Sequence, residues 1–120
     1  MRYFREDNNE LREYIYTSNI HDGRFQRAVY DQITKEFSVN VENAIWNDSI
    51  DMVFVDVCEF SSIADYKWGD NETINAFVLV TDQESNAHKG KLCFVWEMFS
   101  GNQIQVVCSE LRISRKAEVL

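Results

Sequence analysis

Apolar residues recur at helical spacing in the first half of the chain. The longest such run places an apolar residue at every fourth position: Phe25, Val29, Ile33 and Phe37. Asp22 stands ahead of this run, where it would act as a favourable N-cap. The pattern therefore predicts an amphipathic helix of about four turns with one stripe facing the core.

Two further helices are predicted on either side of this one. The first begins at Asn8 or Asn9, either of which would cap it. The residues that it turns toward the core are Leu11, Tyr14 and Ile15. The other begins after Asn40 and ends at Trp46. Its inward-facing residues are Val41, Ala44 and Ile45.

The second half of the chain alternates with the two-residue period of β-strands. Four strands are predicted, at residues 51–60, 73–81, 91–99 and 103–113. Both faces of 51–60 are largely apolar, which is typical of a central strand. Helices followed by an antiparallel meander predict an α+β fold. It would have two or three N-terminal helices packed on a four-stranded, mainly antiparallel sheet, in a single domain spanning residues 1–120.

Gly101-Asn102 is a two-residue hairpin signal between the last two predicted strands. With these residues as the loop, Glu97 faces Val106 across the hairpin. One face of the pair then consists of Cys93, Val95, Glu97, Phe99, Ile104, Val106 and Cys108. A shift by an odd number of residues would move each side chain of one strand to the opposite face, so the register is testable.

The chain is acidic, with 20 acidic against 12 basic residues and a net charge of −8. Such a chain repels nucleic-acid phosphates and anionic membrane surfaces and attracts basic proteins. The charge is concentrated between residues 36 and 84, which hold eleven acidic residues and one basic residue, Lys67. The first residues lack the apolar stretch of a signal peptide, so a cytoplasmic location is predicted.

Residues that commonly bind metals or carry out catalysis are sparse. The three cysteines Cys58, Cys93 and Cys108 are odd in number and show no CxxC spacing, which favours reduced thiols in the core. His21 and His88 fall in predicted loops and are too few for a histidine-rich metal site. Because no catalytic sequence motif is present, no catalytic residue, metal ligand or cofactor is predicted.

Two carboxylates stand within predicted strands, Asp56 and Glu97. A charged group in a core is costly unless it is paired or functional, so the two acids lining one pocket would suit general acid–base chemistry. Alternatively, each strand face is partly solvated, or an arginine such as Arg24 or Arg27 pairs with them.

The connection from Glu59 to Glu72 is the sequence's candidate partner-binding segment, because long loops are often functional. It combines aromatic residues, which are favoured interface anchors, with acids that would steer a basic partner. The predicted partner-binding residues are Glu59, Asp65, Tyr66, Trp68, Asp70 and Glu72. Alternatively, Trp68 folds back on the core and the acids are only solvated.

Three classes of function fit these features. The first is a small acidic protein-binding inhibitor that occludes a basic partner such as a nuclease toxin. Bacterial immunity proteins often have this character, although the likeness is one of size and charge and not of sequence motif. The second is a small-molecule-binding or enzymatic α+β cone that uses Asp56 and Glu97. The third is a subunit or adaptor of a larger assembly.

Overall fold

A computed structural model describes residues 1–18, 20, 22–63, 73–80 and 90–115. In this part of the chain it shows nine strands in two antiparallel sheets and one α-helix. The helix is α1 (Asn8–Thr17), and the strands are β1 (Arg2–Tyr3), β2 (Arg24–Asp31), β3 (Glu36–Asn43), β4 (Asp48–Val55), β5 (Glu59–Ile63), β6 (Ile74–Val80), β7 (Leu92–Met98), β8 (Gln103–Cys108) and β9 (Glu110–Arg115). The protein is mostly β, so the predicted α+β fold with two or three helices on a four-stranded sheet is wrong.

The longest predicted helix is the hairpin of β2 and β3. Asp31 ends β2, and its carboxylate accepts the backbone N–H groups of Ile33 at 2.8 Å and Thr34 at 3.2 Å. Lys35 then adopts a left-handed φ of 57°, which reverses the chain into β3. Asx turns of this kind compete directly with helix formation. The recurrence of an apolar residue at every fourth position was therefore coincidental. Ile33 lies in the turn with 93% of its surface exposed.

The third predicted helix is also wrong, because a turn of the same type joins β3 to β4. The Asn43 side-chain oxygen accepts the backbone N–H groups of Ile45 at 3.1 Å and Trp46 at 3.4 Å. Asn47 takes the left-handed position, with φ 49°. An Asx residue followed four positions later by a left-handed residue therefore forms both hairpins.

The first predicted helix is confirmed as α1, which buries Leu11 and Ile15, but its N-cap is Asp7 and not the predicted Asn8 or Asn9. A single 3-10 turn, Arg5–Asp7, leads into it. Asp7 occupies the N-cap position, and its carboxylate accepts the backbone N–H of Phe4 at 2.8 Å. Across the described residues, no helix has the length and apolar character needed to cross a lipid bilayer.

Two runs of chain pass from one sheet to the other. The five-stranded sheet has the order β1-β9-β4-β3-β2, and the four-stranded sheet has the order β5-β8-β7-β6. β4 continues into β5, and β8 continues into β9, so the strands predicted at 51–60 and 103–113 each form two strands. The corner is bonded across these runs, because the N–H of Ser109 donates to Val55 O at 3.1 Å and the N–H of Cys58 donates to Val107 O at 2.9 Å.

A second connection joins the sheets near the start of β2. The N–H of Ile74 donates to Gly23 O at 2.8 Å, and the N–H of Asp22 donates to Ile74 O at 3.1 Å. Asp22 therefore caps no helix and instead links the residues before β2 to β6. Gly23 suits this close approach, because an added Cβ would lie 2.7 Å from a methyl group of Val41.

Aromatic rings from both sheets fill the space between them. Phe54 is fully buried at the centre, with its ring 5.1 Å from that of Phe94 and 5.6 Å from that of Phe37. Trp96 stacks on Phe77 with 3.8 Å between ring centroids. Contacts of this kind add to the stabilisation that each ring gains by leaving water.

The predicted register of the last hairpin is wrong. Glu97 pairs with Gln103 instead of Val106, because the turn is longer than two residues. The N–H of Met98 donates to Asn102 O at 2.9 Å, and Gly101 has a φ of 95°, typical of a three-residue hairpin loop with a left-handed glycine. Relative to β8, the shift therefore exchanges the two faces of β7. Its core residues are Leu92, Phe94, Trp96 and Met98.

Replacing Phe54 with alanine tests this core. Because the ring is fully buried among aromatic neighbours from both sheets, we expect Phe54→Ala to lower the free energy of unfolding by about 3–5 kcal/mol. Ile33→Ala is the control, and it should change stability by less than about 0.5 kcal/mol because Ile33 is exposed. Urea denaturation measures both variants. Equal effects would show that Phe54 is not central to the core.

Candidate functional site

Most of the predicted partner-binding segment lies outside the described residues. Glu59 is described: it is exposed, and as the first residue of β5 it pairs with Val107 of β8. The strand predicted at 51–60 includes the first two residues of the segment, and in the structure β5 continues to Ile63, into the predicted connection. The other predicted partner-binding residues, which lie outside the described part of the chain, are Asp65, Tyr66, Trp68, Asp70 and Glu72.

Asp56 lies at the corner between β4 and β5 and not within a strand. Its carboxylate accepts the Ser109 hydroxyl at 2.6 Å and lies 3.4 Å from Lys91 Nζ, which also donates to Ser109 Oγ at 2.6 Å. The hydrogen bond from Ser109 and the charge of Lys91 lower the pKa of Asp56. A carboxylate held ionised in this way fastens the corner and is poorly suited to act as a general acid.

Glu97 is far from this corner, so the hypothesis that Asp56 and Glu97 line one pocket is wrong. Lys91, the partner of Asp56, immediately precedes β7, whereas Glu97 is the sixth residue of that strand. A strand rises about 3.3 Å per residue, so the two acids stand near opposite ends of β7. Glu97 accepts the side-chain amide of Gln103 at 3.2 Å on the face of the sheet away from the core.

The β3–β4 turn, which was predicted to be a helix, carries two exposed apolar residues in a row. Ile45 is 78% exposed and Trp46 is 66% exposed, and they are consecutive at the tip of the turn. Their backbone N–H groups are held by Asn43, whose side chain is buried. The turn therefore presents two large apolar side chains to solvent from a fixed backbone.

Two acidic residues and an arginine line a depression together with Ile45. A depression of about 370 Å³ next to the turn is lined by Ile45 together with Asp22, Arg24 and Glu42. A second depression, of about 300 Å³, is lined by residues that include Glu42 and Asp48. Asp22 and Glu42 are exposed. We call Ile45, Trp46, Asp22 and Glu42 the turn surface.

An ion pair supports the base of the turn surface. Asp48, the first residue of β4, is buried and pairs with the guanidinium of Arg115 at the end of β9. The basic residues near the end of the chain are therefore partly structural: Arg112 also pairs with an acid, Glu110, at 3.0 Å. The ion pair between Asp48 and Arg115 thus ties β4 to the neighbouring strand β9 next to the turn.

Glu110 is a buried acid that the sequence analysis did not single out. Its carboxylate accepts Arg2 Nε at 2.5 Å and Arg112 Nε at 3.0 Å. These hydrogen bonds lower the pKa of Glu110 to about 2. Residues two apart in a strand point to the same face, so alternation along β9 places Glu110 and Arg112 side by side. That spacing is the sequence signal that could have identified this ion pair.

The cysteines are free, as predicted, although they do not all lie in the core. Cys93 and Cys108 are buried, whereas Cys58 is exposed at the corner. Burial raises the pKa of Cys108 to about 12 and raises that of Cys93, so both thiols stay protonated at neutral pH. Within the described ranges, no cluster of His, Cys, Asp and Glu could hold a metal ion. His21 and His88 lie outside those ranges.

Two turn-forming residues signalled the turn surface in the sequence. Asn43 and Asn47 bracket Ala-Ile-Trp, and asparagine favours both Asx turns and the left-handed conformation. Two apolar residues between such positions are placed at a loop tip, where they are exposed. No protein family matches this sequence, and no curated protein matches it either.

The Glu110 cluster makes stability depend on pH. Because the folded-state pKa lies below the ordinary value of 4.5, the stabilisation is present above about pH 5 and is lost as the pH falls toward 2. Glu110→Gln should remove this pH-dependent loss of stability. At neutral pH the substitution should lower the free energy of unfolding by only about 1 kcal/mol, because both arginines are half exposed and screened by water.

Urea denaturation between pH 2 and 7 measures this effect. Glu13→Gln, on the exposed face of α1, is the control and should keep the wild-type profile. If the Glu110→Gln protein lost stability toward pH 2 as steeply as the wild type, the assigned role of the cluster would be wrong.

Proposed function

We propose that this protein is a small acidic protein-binding inhibitor that docks on a basic partner through the turn surface. The observation that carries the proposal is the pair of exposed side chains, Ile45 and Trp46, on a turn whose backbone is fixed by hydrogen bonds. Tryptophan is among the residues most enriched at interface hot spots. A turn that is already ordered loses little conformational entropy on binding, which favours affinity.

The charge around the turn supports a basic partner. Between residues 36 and 63 the chain has six acidic residues and no lysine or arginine. Asp48 and Asp56 are paired with bases from elsewhere, and Arg24 stands opposite Glu42 across β2 and β3. Glu42 is nevertheless exposed, and it lines the same depression as Ile45. Acids at the rim of an interface mainly accelerate association and select against acidic partners.

A nuclease toxin is the partner class that fits this chemistry. The active site of a nuclease is positive because it holds phosphates, and an acidic protein surface that carries an aromatic anchor would occupy that ground. The mechanism is occlusion, so the inhibitor needs no catalytic group of its own. The proposal includes a cytoplasmic location, where the free cysteines would remain reduced.

The test is a pull-down from native lysate with the tagged protein, washed at low and then at high salt. We expect one stoichiometric basic protein, released by salt and identified by mass spectrometry, with no capture by a Trp46→Ala bait. An Ile33→Ala bait is the matched control, because Ile33 is an exposed apolar residue in the other Asx turn. Equal capture by both variants would contradict docking at the turn surface.

Truncating the anchor measures its contribution to affinity. We expect Trp46→Ala to weaken binding of the captured partner by about 2 kcal/mol or more, as loss of a hot-spot aromatic does. The sequence predicts a similar loss for Trp68→Ala, and that prediction stands for the segment outside the described residues. Calorimetry of both variants shows which tryptophan is the anchor, and no loss in the Trp46 variant would contradict the turn surface as its site.

Charge reversal tests electrostatic steering. Glu42→Lys should slow association several-fold at low salt and less at high salt, because ions screen exposed charges. The double variant Asp65→Lys, Asp70→Lys tests the same property in the segment predicted from sequence. Stopped-flow or surface-plasmon measurements give the rates. An unchanged rate at low salt in both proteins would argue against steering by these acids.

A further inference from the structure

One edge of the four-stranded sheet is bonded to the rest of the described chain at only one end. β6 (Ile74–Val80) pairs with β7 on one side. On its other side, Ile74 bonds to the residues that precede β2. From Ala76 to Val80 that side has no backbone partner among the described residues. Its sequence, Ile-Asn-Ala-Phe-Val-Leu-Val, contains no charge and no proline.

The two edges of the five-stranded sheet, β1 and β2, are guarded against pairing with foreign strands. β2 carries Arg24, Arg27 and Asp31, and β1 is only two residues long. Charged side chains and short lengths are common devices for discouraging edge-to-edge association. The open part of β6 has neither device. α1 lies beside it, and the space between the two elements is where an added strand would reach the backbone N–H and C=O groups of β6.

A groove runs along this edge. It has a volume of about 490 Å³ and is lined by Arg12, Ile15, Tyr16, Phe77, Val78 and Leu79. Consecutive residues of a strand point to opposite faces, so a groove that touches three in a row must follow the strand edge. β7 occupies the other edge, which places the groove on the open one. α1 therefore forms the second wall of a slot that begins at β6.

The lining identifies the chemistry of the occupant. Tyr16 is 84% exposed and Val78 is 48% exposed, so apolar side chains are offered from both walls. Arg12 is exposed on α1, one turn before Tyr16, and it forms no ion pair with any described residue. An extended segment bonded to β6 would thus meet an apolar groove and one unneutralised positive charge.

We propose that the edge of β6 binds an extended segment of a partner protein as an additional strand, with an acidic residue of that segment paired to Arg12. In this binding mode the backbone hydrogen bonds supply affinity, and the side-chain pockets supply specificity. Alternate residues of the segment face α1 and Ile15, and the remaining residues face Val78. The site is separate from the turn surface and does not rest on its proposed function.

The probe is a library of random dodecapeptides displayed on phage. It is selected for binding to the immobilised protein. We expect enriched peptides that alternate apolar and other residues and contain one Asp or Glu. A synthetic copy of an enriched peptide should slow hydrogen exchange of the backbone amides between Ala76 and Val80. Arg12→Glu should weaken its binding at least about tenfold, since a charged hydrogen bond is lost.

The specificity of the effect is checked by reselection and by matched edge variants. Selection against the Arg12→Glu protein should enrich Lys or Arg at the position that held the acid. Val78→Lys should abolish binding. Val29→Lys should leave it unchanged, because Val29 has a similar exposure, 43%, on the other sheet's edge strand β2. Trp46→Ala should also leave peptide binding unchanged.

Several outcomes would overturn the proposal. They are the absence of any enriched peptide, protection of amides away from β6, and equal peptide affinity in the wild-type and Arg12→Glu proteins. A concentration-dependent dimer in sedimentation, lost in the Val78→Lys protein, would show instead that a second copy of the chain occupies the edge. Circular dichroism of each variant confirms that it is folded.

Discussion

The fold depends on two runs of chain that belong to both sheets at once. β4 with β5 and β8 with β9 lie side by side and bend together, so the sheets cannot form independently. The bend is held by backbone bonds across the two runs and by Asp56, which joins Ser109 and Lys91. The aromatic core fills the angle that this bend creates, with Phe54 in contact with rings from both sheets.

The bend also determines what remains accessible. Hairpin turns project from the ends of the sheets, where their backbones are fixed but their tips face water. Of these turns, the β3–β4 turn places an isoleucine and a tryptophan on the outside, next to acids. α1, the one helix in the described chain, lies against β6, so the same architecture leaves a groove there. These exposed features are the basis on which we propose that the protein recognises another protein.

Sequence patterns located much of the β-structure but misread how it is arranged. β6 and β7 were predicted nearly residue for residue, and α1 was recognised by Leu11 and Ile15. The stretch from Phe25 to Phe37 was misread because an i, i+4 apolar pattern arises by chance in a hairpin whose turn holds Ile33. The signal that decides between the two is local: Asp31 and Asn43 each bond to the backbone that follows.

Long-range pairing was beyond the reach of such patterns. The strand predicted at 51–60 is central only as far as Val55, as β4 in the middle of the five-stranded sheet; past the corner the chain enters β5, an edge strand of the other sheet. Asp48 meets Arg115, and Glu110 meets Arg2, only after distant strands have paired. Trp46 was predicted to end a helix because the spacing of apolar residues was given more weight than the turn-forming tendency of Asn43 and Asn47.

The position of β9 governs the order in which the molecule can assemble. β9 lies between β1 and β4, and the amino group of Met1 donates to Ile113 O at 2.8 Å. During synthesis on a ribosome the β2–β3–β4 meander emerges first, and its β4 edge stays open until β9 has been made. Contacts between such distant segments carry a large loop-closure cost, which is characteristic of slow folding. A nascent chain of this protein thus exposes an unpaired edge of β4 until β9 has been made, and unpaired strand edges favour aggregation.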